Sequence, residues 1–90
     1  MPSYRVVNEE QILACRWTLG SSGDNVRVSI FDLDDNALDV DEGIMSSVTG
    51  NLFQYLWTPT EEHTYRIDYH NLTLDTHEYE VTIVADTVVL

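Results

Sequence analysis

Ninety residues suffice for one domain with one modest core, and a hydrophobic fraction of 43% with two Trp, five Tyr and two Phe excludes a disordered chain. Sixteen acidic residues stand against four basic ones, all arginine, for a formal net charge of -12. A chain without a basic footprint is excluded as a nucleic-acid or anionic-membrane binder, and the single cysteine, Cys15, excludes an internal disulfide and a cysteine metal cluster.

In chain order the signal is alternation of apolar and polar residues, the period of a half-buried strand. The start, Met1 to Arg5, is not followed by a long apolar run, so no signal peptide is expected and the chain is expected to be made in the cytoplasm, to stay there or to leave as part of an assembly. Asn8 to Arg16 has the local look of a capped helix start. The alternation of Leu13, Cys15, Trp17 and Leu19 instead predicts a turn leading into a strand. A turn cluster over 20–25 precedes Val26, Val28 and Ile30, and a second over 32–36 precedes Leu38 and Val40. Phe53, Tyr55 and Trp57 alternate in the next strand, which Pro59 ends. Tyr65, Ile67 and Tyr69 follow, then a longer connection over 71–77, then Tyr79, Val81 and Ile83.

Seven to eight short strands with regular turn signals predict an all-β sandwich of antiparallel strands occupying residues 1–90 as one domain. The expected core is Leu13, Cys15, Trp17, Val26, Val28, Ile30, Leu38, Phe53, Tyr55, Trp57, Tyr65, Ile67, Tyr69, Val81 and Ile83. Net charge of this size predicts stability that rises with salt, and the lysine-free, carboxylate-rich composition resembles that of proteins from salt-loving organisms.

Three stretches together resemble immunoglobulin-like modules of the bacterial and phage type. They are Val26 to Leu38, Gly50 to Pro59 (a Gly-x-x-Tyr-x-Tyr-x-Trp-x-Pro-like strand) and Tyr65 to Tyr69. The likeness covers about residues 10 to 85. It departs where Glu61, Glu62, His63 and Thr64 replace the glycine turn that usually precedes the strand-opening tyrosine. The resemblance implies an immunoglobulin-like sandwich, with Tyr65 bonding back to the chain at a tyrosine corner. It also implies a place in a tailed-virus particle, as a capsid decoration or a head, neck or tail connector docked on capsid or tail proteins in a multimeric assembly. Modules of this kind also occur in bacterial surface proteins, so a cation- or carbohydrate-binding module of a cell-surface protein is the alternative.

Few residues point to chemistry. Asp32, Asp34, Asp39 and Asp41 lie in the densest acidic stretch, which offers oxygens to a hard cation such as calcium. Its Asp-x-Asp-x-Asn opening resembles an EF-hand loop, but Ala37 stands where that loop needs glycine and Gly43 where it needs a bidentate glutamate. The simpler reading is a solvated hairpin. His63, His70 and His77 recur at intervals of seven, which strand geometry does not align on one face. No nucleophile elbow and no phosphate-binding glycine loop is present, so no enzymatic activity and no cofactor is expected. Asn71 to Thr73 matches a glycosylation acceptor. The candidate docking residues are the unguarded end of the chain, Thr87, Val88, Val89 and Leu90 within a segment 86–90, together with the outward-parity Leu52, Leu56, Phe31 and Leu33.

Overall fold

The computed structural model describes residues 3–87 as eight strands in two sheets. They are β1 (Ser3–Val6), β2 (Gln11–Arg16), β3 (Val26–Asp32), β4 (Ala37–Ile44), β5 (Ser46–Thr49), β6 (Leu52–Trp57), β7 (Thr64–Asn71) and β8 (Thr76–Ala85). A five-stranded sheet runs β1-β8-β7-β3-β4, and a three-stranded sheet runs β2-β6-β5. The chain is therefore all-β and sandwich-like, and Asn8 to Arg16 makes a turn and a strand, as the alternation predicts.

One expectation about strand direction is corrected. Five of the six strand pairs are antiparallel, but β1 runs parallel to β8, with Ser3 opposite Thr82 and Val6 opposite Ala85. β1 is too short to register as alternation. It exists because β8 offers it a ladder, extended by the Val7 N–H donating to the Ala85 carbonyl at 2.9 Å.

Core and pattern agree on β2, β3, β6 and β7. Leu13, Val26, Val28, Ile30, Phe53, Trp57, Tyr65, Ile67 and Tyr69 are all buried, with Cys15 and Tyr55 half-buried against them. Trp17 is buried although β2 ends at Arg16, while Leu19 stands 88% exposed in the following turn. Two further expectations fail. Leu38 is exposed because Asp39 is an extra residue between the pairs Ile30–Val40 and Phe31–Leu38, which turns Val40 inward and Leu38 outward. On β8 the inward residues are Thr82 and Val84, so Val81 is exposed and Ile83 half-buried. The smaller sheet has three strands and the larger five, so the inward side of β8 is not covered along its whole length by apolar residues. Glu80 sits there with partners of its own: Ser3 Oγ, Arg5 Nη2 and Tyr69 Oη donate to its carboxylate at 2.7, 2.8 and 2.8 Å. Burial opposes ionisation of Glu80, but the bonds from Ser3, Tyr69 and Arg5 outweigh it and hold the carboxyl below its ordinary range.

Gly43 on β4 faces Tyr55 of the other sheet so closely that a Cβ there would lie 2.7 Å from the Tyr55 ring. No described residues form a helix, so none forms a helix long enough to span a membrane.

Candidate functional site

Three groupings of polar or exposed residues stand out, one at each end of the β7–β8 hairpin and one on the outer face of the larger sheet.

At the end where β7 begins, Asp32 closes β3 with its side chain buried. Its Oδ1 accepts the backbone N–H groups of Asp34 and Asp35 at 3.0 and 3.1 Å, and His63 Nδ1 lies 2.7 Å from Oδ2. Asp34 in turn accepts the Thr64 N–H at 3.1 Å. Beside them Trp57 donates its indole N–H to Asp39 Oδ2 at 2.8 Å, packs edge-on against Tyr65 with ring centroids 5.0 Å apart, and leaves Asp39 as the bulge residue of β4. The Tyr65 hydroxyl points back to the Glu61 carbonyl at 3.4 Å, and burial first, then the surrounding carboxylates, push its pKa to about 12. For Asp32, burial raises the pKa, but the bonds from His63, Asp35 and Asp34 outweigh it and hold the carboxyl below its usual value. The hydrogen bond to Asp32 holds His63 above 6.5 against the opposing effect of desolvation.

Of the four predicted calcium ligands, Asp32 and Asp34 meet here with His63. Asp39 is engaged by Trp57, and Asp41 lies exposed on β4 outside the group. Both oxygens of Asp32 and Oδ2 of Asp34 already serve backbone N–H groups and an imidazole, so this cluster acts as a staple joining the β3–β4 turn to the start of β7.

At the other end, β7 and β8 are joined by a four-residue turn, Leu72 to Asp75, shorter than the sequence suggests. Asp75 adopts φ 53°, and Asn71 Oδ1 accepts the Leu74 N–H at 3.0 Å. The turn places His70 directly opposite His77, with the imidazoles stacked 3.9 Å apart at 12°. His77 Nδ1 lies 3.1 Å from Asp68 Oδ1, and His70 Nε2 lies 3.6 Å from Asp75 Oδ1. That second distance is too long for a hydrogen bond, and His70 Nε2 is shielded from solvent with no hydrogen-bond partner. The interval of seven carries no helical meaning. The tight turn, marked by Asn71 and Asp75, is the signal that would have paired these histidines.

The turn also closes the glycosylation acceptor. Asn71 is fully buried, its Nδ2 donates to Asp24 at 2.9 Å, and Thr73 Oγ1 accepts the Asn25 N–H. A modifying enzyme cannot reach that amide while the fold is intact.

The outer face of the five-stranded sheet is the third grouping. Register sets Tyr4 beside Ile83, Val81, Arg66, Phe31 and Leu38 together in a second row, and His77, His70, Arg27 and Ile44 in a third. Tyr4 (58%), Tyr79 (62%), Leu38 (54%) and Ile44 (69%) are strongly exposed. The Arg66 guanidinium lies over the Phe31 ring at 5.4 Å. Of the predicted docking residues, Phe31 is half-buried on this face and Leu33 is exposed in the turn after it. Leu52 and Leu56 point outward from the three-stranded sheet, where Leu56 pairs with the exposed Ile12. The four residues therefore lie on opposite faces. Thr87 is exposed; Val88, Val89 and Leu90 lie outside the described residues. β7 pairs with β8 from Thr76 to Ile83 and β1 pairs with it from Thr82 to Ala85, so among the described residues the two flank it together only at Thr82 and Ile83.

Cys15 is half-buried, and burial first, then Glu78 and Glu80, push its thiol to about 11, which keeps it protonated at neutral pH. A shallow cleft of about 200 Å³ opens nearby between the sheets, lined by Arg16, Trp17, Leu19, Leu74, Thr76 and Glu78 among others. Comparisons with protein-family models, with curated proteins and with solved structures found no match.

Proposed function

We propose that the chain is a non-enzymatic, immunoglobulin-like interaction module. It serves in a tailed-virus particle as a capsid decoration or a head, neck or tail connector, docking on capsid or tail proteins. The outer face of the five-stranded sheet carries this reading. It sets exposed Tyr, Leu, Ile and Val around Arg66 and Arg27, the aromatic, aliphatic and arginine mixture of interface centres, on a molecule otherwise dominated by carboxylates. The immunoglobulin-like part is supported by the order of the strands. A sheet of β8, β7, β3 and β4 facing one of β2, β6 and β5 follows the G, F, C, C′ and B, E, D order of that fold. Tyr65, at the start of β7 with its hydroxyl turned back to Glu61, stands where a tyrosine corner belongs. The tailed-virus setting rests on the sequence resemblance alone.

The test is particle association. Wild-type protein should co-sediment with assembled particles. Val81→Asp and Leu38→Asp, both on exposed positions, should stay folded by circular dichroism and lose at least about tenfold in association, which is about 1.4 kcal/mol. Leu56→Asp, on the opposite sheet, should bind as wild type. Loss confined to Leu56→Asp, or to deletion of 87–90, would move the docking surface to those residues.

A further inference from the structure

We infer that His70, His77 and Asp75 form a binding site for a divalent transition-metal ion of the zinc class, independent of the docking face's partner. One nitrogen from each histidine and one oxygen from Asp75 lie within 4.8 Å of one another. Two imidazoles and a carboxylate are the borderline donor set that zinc, nickel and copper(II) take and that calcium and magnesium do not favour. A tetrahedral zinc ion with bonds of about 2.0–2.1 Å holds its ligand atoms about 3.3 Å apart. The 3.6 Å between His70 Nε2 and Asp75 Oδ1 is already close to that edge.

Two further observations favour a ligand here. His70 Nε2 is a shielded nitrogen without a hydrogen-bond partner, which costs free energy unless something occupies it. His77 Nδ1 is held by Asp68 at 3.1 Å, the outer carboxylate that orients a metal-binding imidazole and leaves its Nε2 lone pair free. Because the rings are stacked, their lone pairs run side by side. Coordination requires one ring to turn out of the stack, and His77 is the more exposed of the two, with 39% of its side chain open against 26% for His70. The backbone needs no change, since the four-residue turn and the cross-strand pairing already fix the two Cα positions. Solvent supplies the remaining position. The cluster of Asp32, Asp34 and His63 at the other end has comparable spacing, but both Asp32 oxygens, Asp34 Oδ2 and His63 Nδ1 are already engaged, so it is the internal control.

The experiment is calorimetric titration of the intact protein with zinc chloride in excess magnesium, which saturates weak carboxylate sites. It is paired with proton–nitrogen spectra of the imidazoles. The expected result is one zinc per chain with micromolar affinity, and shifts at His70 and His77 but not His63. His70→Gln and His77→Gln should each weaken binding at least about tenfold and Asp68→Asn about tenfold, while His63→Gln leaves it unchanged. Absence of one-to-one binding, retention of it in the His70→Gln/His77→Gln double variant, or its loss in His63→Gln would each overturn the assignment. The imidazole shifts on the unmodified protein decide the matter even if a variant folds poorly.

Discussion

The two ends of the β7–β8 hairpin carry similar residues in opposite conditions. At the start of β7, two aspartates, a histidine, a tryptophan and a tyrosine are joined so that both oxygens of Asp32, Oδ2 of Asp39 and Nδ1 of His63 find partners inside the protein. At the turn, some seven residues along the strand and about 23 Å away, two histidines and two aspartates sit half open, with one shielded nitrogen unpartnered. Both sets read as acid-and-histidine clusters. The difference is whether the donors are already used: the first end holds the sheets together, and the second is free to bind.

That contrast predicts a graded set of effects on unfolding in urea. The largest belongs to Trp57→Ala, which removes the ring packed on Tyr65 and orphans Asp39; it should cost about 3–5 kcal/mol. Asp32→Ala strands two backbone N–H groups and an imidazole and should cost about 2–3 kcal/mol. A cost under about 0.5 kcal/mol would show that water replaces the staple. The His70→Gln/His77→Gln variant should change stability by less than about 0.5 kcal/mol without metal, because the ring stack and the His77–Asp68 contact are partly exposed to solvent. A larger loss would make the turn end structural as well.

A pH series sharpens the same contrast. His63 is held above 6.5 in the folded protein, so its contribution is complete below about pH 6.5 and is lost as pH rises through the raised value. Asp32 is held below 3.8, so its contribution is present above about pH 3.8 and is lost as pH falls through the depressed value. The stability difference between wild type and His63→Gln should therefore be greatest between those limits and shrink as pH rises through the raised His63 value. A difference that grows with pH would reverse the assigned protonation.

Strand positions were legible wherever a strand is covered by the opposite sheet. The alternation of Phe53, Tyr55 and Trp57 and of Tyr65, Ile67 and Tyr69 needs no more than an inside and an outside. It failed where another rule takes over. Asp39 is one residue too many, and Leu38 and Val40 share a parity in the sequence but not in the sheet. On β8, Val81 and Ile83 look like core, yet the gap beside them suits the ion-paired Glu80 and leaves Thr82 inside. The acidic stretch was legible as a loop, but the partner that completes it, His63, is 31 residues from Asp32. The histidine pair was hidden because its meaning depends on the length of one turn.

The parallel pairing of β1 with β8 also sets how the molecule bears tension. Pulled from residues 3 and 87, the two strands slide along each other in opposite directions, because the chain enters one and leaves the other in the same sense. All the hydrogen bonds of that seam are then strained together, whereas a hairpin pulled at its open end gives way one bond at a time. Glu80 reaches across the same seam to both Ser3 and Arg5, adding a side-chain clasp under the backbone ladder. A module tethered through both ends would yield in shear rather than peel.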